Sequence, residues 1–129
     1  MTDVIGGRYR LLSSDPLGTG GEGAVYLCMD EKANPPIRMA LKKLYREIQK
    51  DPDSQERLMR EAQRTISINH QNIVDVSDFG FDDKGVPYLV MEYLPDGLEN
   101  ELKTNMYLDF DRVQQITLDL CEALIHVHE

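Results

Sequence analysis

The chain has 129 residues, 41% of them hydrophobic and 29% charged, with a formal net charge of −9. This is the composition of one folded domain rather than of a disordered segment, and so acidic a balance argues against nucleic acid or an anionic membrane face as partner. With no basic N-terminal region and no apolar run of bilayer length, the chain is expected to be cytoplasmic, any membrane anchor lying beyond Glu129.

Arg8–Leu12 is the first strand-like run, closed by the turn signal Ser13-Ser14-Asp15-Pro16. Leu17 opens a glycine cluster, and Ala24–Met29, rich in Val, Tyr and Leu, reads as a strand. Asp30–Pro36 ends in Asn-Pro-Pro and reads as a loop, followed by a strand over Ile37–Leu44. Asp51-Pro52-Asp53-Ser54 announces a helix. Asp53 or Ser54 can cap it, and Asp53 with Glu56 has capping-box spacing. Leu58, Met59, Ala62, Thr65 and Ile66 give it one apolar face as far as about Ile68. His70-Gln71-Asn72 breaks the pattern. Ile73–Ser77 and Val86–Met91 read as strands around a turn at Asp82–Gly85. After the Pro95-Asp96-Gly97 linker a short helix is expected near Glu99–Lys103, then a long one over Phe110–His128. Asp109 would cap the long helix and Leu108 would staple onto Val113. Val113, Ile116, Leu120, Ala123, Leu124 and Val127 line one side of it. This order predicts an α+β fold with a small antiparallel five-stranded sheet. Cys28 and Cys121 lie far apart, without zinc or redox spacing, and are expected as free, buried thiols.

Gly18-Thr-Gly20-Gly-Glu-Gly23-Ala-Val25 has the form G-x-G-x-x-G-x-V. A dinucleotide fingerprint needs a helix after its third glycine, and a Walker loop needs Lys then Ser or Thr. Neither follows here. Two readings stay open: a flexible hairpin, or a glycine-rich hairpin whose backbone N–H groups cover phosphates. On the strand Met39-Ala40-Leu41-Lys42, alternation puts Ala40 and Lys42 on one face. That suits a flat ring over Ala40 and phosphates at Lys42, while a solvated lysine, like Lys43, is the plain alternative. Glu61 falls within the apolar helix face, where a carboxylate needs a partner. Lys42 is one candidate; Arg57 or Arg64, at helical spacing, are the others.

The glycine hairpin, Met39-Ala40-Leu41-Lys42, Arg60-Glu61-Ala62, His70-Gln-Asn-Ile-Val74 and Tyr88-Leu-Val-Met-Glu-Tyr-Leu-Pro95 follow in an order that resembles the N-terminal lobe of protein kinases, in particular the bacterial Ser/Thr branch. The resemblance runs from Arg8 to Glu129. It implies an N-lobe over 1–91 (sheet plus αC helix), a hinge over 92–98, and the first helices of a C-lobe over 99–129. It implies that Lys42 contacts the α- and β-phosphates of ATP and that Glu61 holds Lys42. Gly18, Gly20 and Gly23 would cover the phosphates, and Leu17, Val25 and Ala40 would sandwich adenine. Met91 matches the gatekeeper, and Glu92 and Leu94 match the hinge that pairs with the adenine edge.

Three departures from the family pattern stand out. Glu22 occupies the hairpin tip, where relatives carry an aromatic residue or Met. Thr65 lies one turn past Glu61, where relatives place an apolar residue. No H-R-D-x-x-x-x-N occurs, and Asp78-Phe79-Gly80 lies ahead of the hinge, so it is not assigned to magnesium. The resemblance therefore implies weak ATP binding and no phosphoryl transfer by this chain alone, with Mg2+ expected only in a complete kinase domain. Expected partners are a protein substrate or a complementing C-lobe, with self-association through the terminal helix. The alternative is a non-catalytic lobe acting as an interaction module.

Overall fold

Residues 3–45 and 52–128 are described in the computed structural model. They group into two units, one taking the chain up to Ser67 together with Asp75–Tyr93, the other taking Ile68–Val74 and the chain from Leu94.

The first unit is built on strands β1 (Val4–Ile5), β2 (Tyr9–Leu11), β3 (Gly18–Thr19), β4 (Gly23–Asp30) and β5 (Ile37–Leu44), helix α1 (Pro52–Ser67), and strands β6 (Val76–Phe81) and β7 (Pro87–Glu92). All pairings are antiparallel, in the order β1-β2-β4-β5-β7-β6, with β3 on β4. The five expected strands are therefore present. The two-residue strands β1 and β3 add to them and are too short to show any alternation in sequence. The β4–β5 hairpin carries the unit: its register runs unbroken from Gly23 opposite Leu44 to Asp30 opposite Ile37. Gly23 is required there, because a Cβ would sit 2.1 Å from the Lys43 carbonyl oxygen.

One sheet face forms the core, from Ile5, Tyr9, Leu11, Cys28, Leu41, Tyr88 and Val90, with Tyr26 and Met39 against it. Burial pushes the Cys28 thiol up to about 11. Cys121, by contrast, is exposed on the last helix, against the expectation that both thiols are buried. Asp30 is buried and accepts two bonds from Arg8, Nε to Oδ1 at 2.8 Å and Nη2 to Oδ2 at 2.9 Å. That guanidinium holds the Asp30 carboxyl below the usual carboxylate range.

The fourth expected strand, Ile73–Ser77, lies instead at Val76–Phe81. Its polar-looking centre fits because Asp78 and Gly80 each meet a tyrosine of another strand. The Tyr9 hydroxyl donates to Asp78 Oδ2 at 2.5 Å, and the Phe79 N–H donates to Asp78 Oδ1. Gly80 lies opposite Tyr88, whose hydroxyl would be 2.6 Å from a Cβ there. Asp78-Phe79-Gly80 is thus strand, with Asp78 turned to the core side. The turn at Asp82–Gly85 forms as expected, the Asp82 carboxylate accepting from the N–H groups of Lys84 and Val86.

Pro52 occupies the first turn of α1, where its missing N–H costs nothing. Asp53 is inside the helix and not its cap. α1 packs on β6 through a stripe at Gln55, Leu58, Ala62 and Ile66, Ala62 being buried. Met59 and Thr65, expected on the apolar face, are exposed, and the Thr65 hydroxyl donates to the Glu61 carbonyl at 3.1 Å.

The second unit holds α2 (Leu98–Asn105) and α3 (Phe110–His128). The expected Asp109 cap is present: the Arg112 N–H donates to Asp109 Oδ1 at 2.8 Å. Arg112 also makes a two-point pair with Glu101 of α2, at 2.9 and 3.1 Å. The segment before β6 is held to α3, Asn72 Nδ2 donating to the Asp119 carbonyl at 2.9 Å. The His70 and His126 rings lie 5.0 Å apart. Ala123 is the buried residue of α3, whereas Val113, Leu120, Leu124 and Val127 of the expected stripe are exposed. Among the described residues no helix is long and apolar enough to cross a membrane.

Candidate functional site

Residues directly opposite in an antiparallel sheet share a face, and so do residues two apart on one strand. Gly18 lies opposite Val25, Val25 opposite Lys42, and Lys42 opposite Leu89. In the neighbouring row Leu27 lies opposite Ala40, Ala40 opposite Met91, and Met91 opposite Val76. Val25, Ala40, Lys42 and Met91 therefore lie on one face, the face turned away from the core. Leu27 and Leu89 belong to it as well. Sequence reasoning passed over these two, although each stands two residues from a site residue on its own strand, Leu27 from Val25 and Leu89 from Met91, so alternation alone could have found them.

The glycine segment closes over one end of this face. The Leu17 N–H donates to the Val25 carbonyl at 2.7 Å and the Gly20 N–H to the Gly23 carbonyl at 2.9 Å, forming a hairpin. None of Gly18, Gly20 or Gly23 uses a positive φ. Their contribution is the missing side chain: a Cβ on Gly18, Gly20 or Gly21 would meet no atom within 4 Å. The backbone there is open to close approach by a ligand. A cavity of about 450 Å3 is lined by Gly18, Thr19, Gly20, Gly21, Glu22, Gly23, Val25 and Lys42, within the size range of small-molecule sites. A second cavity of about 420 Å3 is lined by Asp3, Gly6, Lys43, Asp82 and Asp83, away from the Gly18–Gly23 hairpin.

Lys42 is half-buried and its Nζ lies 3.3 Å from Glu22 Oε2. The expected partner, Glu61, is exposed and makes no ion pair with Lys42, nor with Arg57 or Arg64. Helical geometry explains this. At 3.6 residues per turn Glu61 stands roughly 100° from the middle of the stripe that α1 turns to β6. The acidic residue at the hairpin tip takes its place. Its signal in the sequence was the acid itself, two residues before the strand that carries Val25.

Leu17 is half-exposed at the hairpin base, and Glu92 is exposed at the end of β7. The Glu92 N–H donates to the Asp75 carbonyl, and the Glu92 carboxylate accepts from the Asp75 N–H, both at 2.9 Å. Leu94 belongs to the second unit. Among the described residues no group of three His, Cys, Asp or Glu side chains is placed to hold a metal ion. The Asp-Phe-Gly triplet lies in β6, where Asp78 accepts from the Tyr9 hydroxyl.

A family model described as "Protein kinase domain" matches residues 12–129. The serine/threonine-protein kinase PksC of Streptomyces coelicolor is 37% identical over 134 residues, covering 98% of this chain and 23% of PksC. PknB of Mycobacterium tuberculosis, also a serine/threonine-protein kinase, is 34% identical over 127 residues, covering 95% of this chain and 20% of PknB. Among solved structures, the PknI kinase domain of Mycobacterium tuberculosis superposes with a TM-score of 0.74 at 26% identity, covering 98% of this chain and 50% of that one. The chain thus spans about a fifth of the length of those two relatives and half of the PknI kinase domain.

Proposed function

Because the chain belongs to the protein kinase domain family, we propose that its first unit is the nucleotide-binding part of a Ser/Thr protein kinase and takes ATP on the face that carries Val25, Ala40, Lys42 and Met91. The observation that carries this reading is the single row of Gly18, Val25 and Lys42 beneath an open glycine hairpin. It sets a cation and a backbone free of side chains around one cavity, which lets a polyphosphate approach both closely. The apolar row of Leu27, Ala40 and Met91 beside it offers a flat surface for adenine. Glu92 and Leu94 are proposed to supply the hinge groups, and Glu61 to take Lys42 when α1 turns.

Phosphoryl transfer rests on positioning an acceptor hydroxyl and neutralising charge with metal ions. The 129 residues hold no H-R-D-x-x-x-x-N motif, so transfer to protein hydroxyls is proposed for a complete kinase domain and not for this polypeptide by itself. Titration calorimetry with Mg-ATP tests the binding. The expected result is affinity weaker than micromolar that drops about tenfold or more in Lys42→Ala, the loss of one charge-assisted phosphate contact. Binding indifferent to Lys42 would remove the site. Phosphotransfer by the polypeptide above the Lys42→Ala background would overturn the inactivity.

The exposed position of Glu61 favours one second reading, a kinase-like lobe that works as a non-catalytic interaction module. Biological function retained in Lys42→Ala would decide for it.

A further inference from the structure

The hairpin tip carries an acid whose carboxylate reaches the cation the nucleotide phosphates would need. We infer that Glu22 is a built-in competitor for Lys42, holding its ammonium group until a polyphosphate displaces it, so that this residue sets how strongly the site discriminates phosphorylated from unphosphorylated nucleosides. The inference rests on the ATP-site reading above.

Three features of the geometry carry it. Glu22 is fixed at its backbone, its carbonyl accepting from the Tyr45 N–H at 2.8 Å, while its side chain turns to Lys42 Nζ at 3.3 Å. The Lys42 side chain is 26% exposed and that of Glu22 is 86% exposed. One end of the pair is partly desolvated and the other stands in water, so the bond is real but readily exchanged. Finally, Gly18, Gly20 and Gly21 leave the approach to the cavity sterically open, so that the obstacle to an entering anion is electrostatic. A neutral nucleoside gains nothing by opening the pair. A triphosphate exchanges one carboxylate for several anionic oxygens and gains most. Among the described residues no other acid pairs with Lys42, and Glu61 is exposed.

The test uses the 129-residue chain, its Glu22→Gln and Glu22→Asp variants, Lys42→Met, and the double variant Glu22→Gln with Lys42→Met. Affinities for Mg-ATP and for adenosine are measured by calorimetry at low salt. The expected result is ATP binding tightened about two- to fivefold by Glu22→Gln, the range of an exposed ion pair, with adenosine unchanged. Glu22→Asp, one methylene shorter, should move in the same direction. The gain should disappear in the Lys42→Met background and shrink at high salt. Equal ATP affinity in native chain and Glu22→Gln, with Lys42→Met still weakening ATP, overturns the competitor and leaves the site reading intact. ATP binding that is absent or indifferent to Lys42 defeats the site reading instead. A nucleotide-free readout then decides on Glu22: the rate at which an amine-reactive reagent labels Lys42, located by peptide mapping. Faster labelling in Glu22→Gln supports the competitor, and an unchanged rate overturns it.

Discussion

Asp30 joins several constraints at one side chain. It ends β4, is 5% exposed, and accepts from two Arg8 nitrogens and from the Lys32 N–H. Removing an acceptor so placed leaves donors without partners, which costs about 1–3 kcal/mol. Asp30→Ala should therefore lower unfolding stability by about that amount at neutral pH. The pH dependence follows from the sign of the shift. The folded carboxyl is held below its ordinary value by Arg8, so the unfolded chain binds the proton first as pH falls. The stabilisation is complete above the unfolded value of about 4 and is lost as pH falls through the folded one. Urea denaturation at pH 7 and at pH 3 should show a clear gap between native chain and variant at the higher pH and a smaller gap at the lower. Equal stability at pH 7 would show that Arg8 and Lys32 find other acceptors.

Among the elements, the β4–β5 hairpin bears both the fold and the site, and Gly23 is where the two meet. Its strand runs so close to β5 that a methyl group would overlap the Lys43 backbone. Gly23→Ala should push the strands apart at the glycine end, costing about 1–3 kcal/mol as overpacking does. Hydrogen exchange should reveal the damage first at the Leu17, Gly20 and Tyr45 amides, whose bonds close the glycine hairpin; unaltered protection there would mean that the strands adjust without opening. The strand Ile37–Leu44 and the helix Phe110–His128 were read from the sequence with the bounds they have in the fold. The alternation of strand side chains was enough to put Ala40 beside Lys42. The displacement of β6 was not legible, because Asp78 and Gly80 look like loop residues until Tyr9 and Tyr88 stand across from them. Leu27 and Leu89 were legible by the same alternation, each two residues from a site residue on its own strand; what required register was that the rows of β4, β5 and β7 line up. For Glu61 the sequence offered Lys42, Arg57 or Arg64 as partner, and how far α1 is rotated about its axis, a property of packing rather than of local pattern, leaves it paired with none of the three.

For the molecule as a whole, the unsettled quantity is the apolar surface of α3. Leu120 and Leu124, one turn apart, are 58% and 56% exposed, and Phe110, Leu118 and Ile125 are exposed on other sides of the same helix. A helix that displays apolar residues around most of its circumference normally has neighbours, and a continuous exposed patch of this kind favours association. Opposing this is the net charge of −9, which keeps copies apart at low ionic strength. The two effects together predict a particular signature. The 129-residue polypeptide should self-associate in sedimentation velocity, more strongly as salt screens the charge, whereas association held by ion pairs would weaken with salt. Leu120→Glu with Leu124→Glu places two acids on the patch, so it should return the chain to monomer while the first unit keeps its hydrogen-exchange protection. A native chain that stays monomeric at high concentration and high salt would mean that α3 is covered within the monomer, and a double variant that still associates would move the contact to another surface.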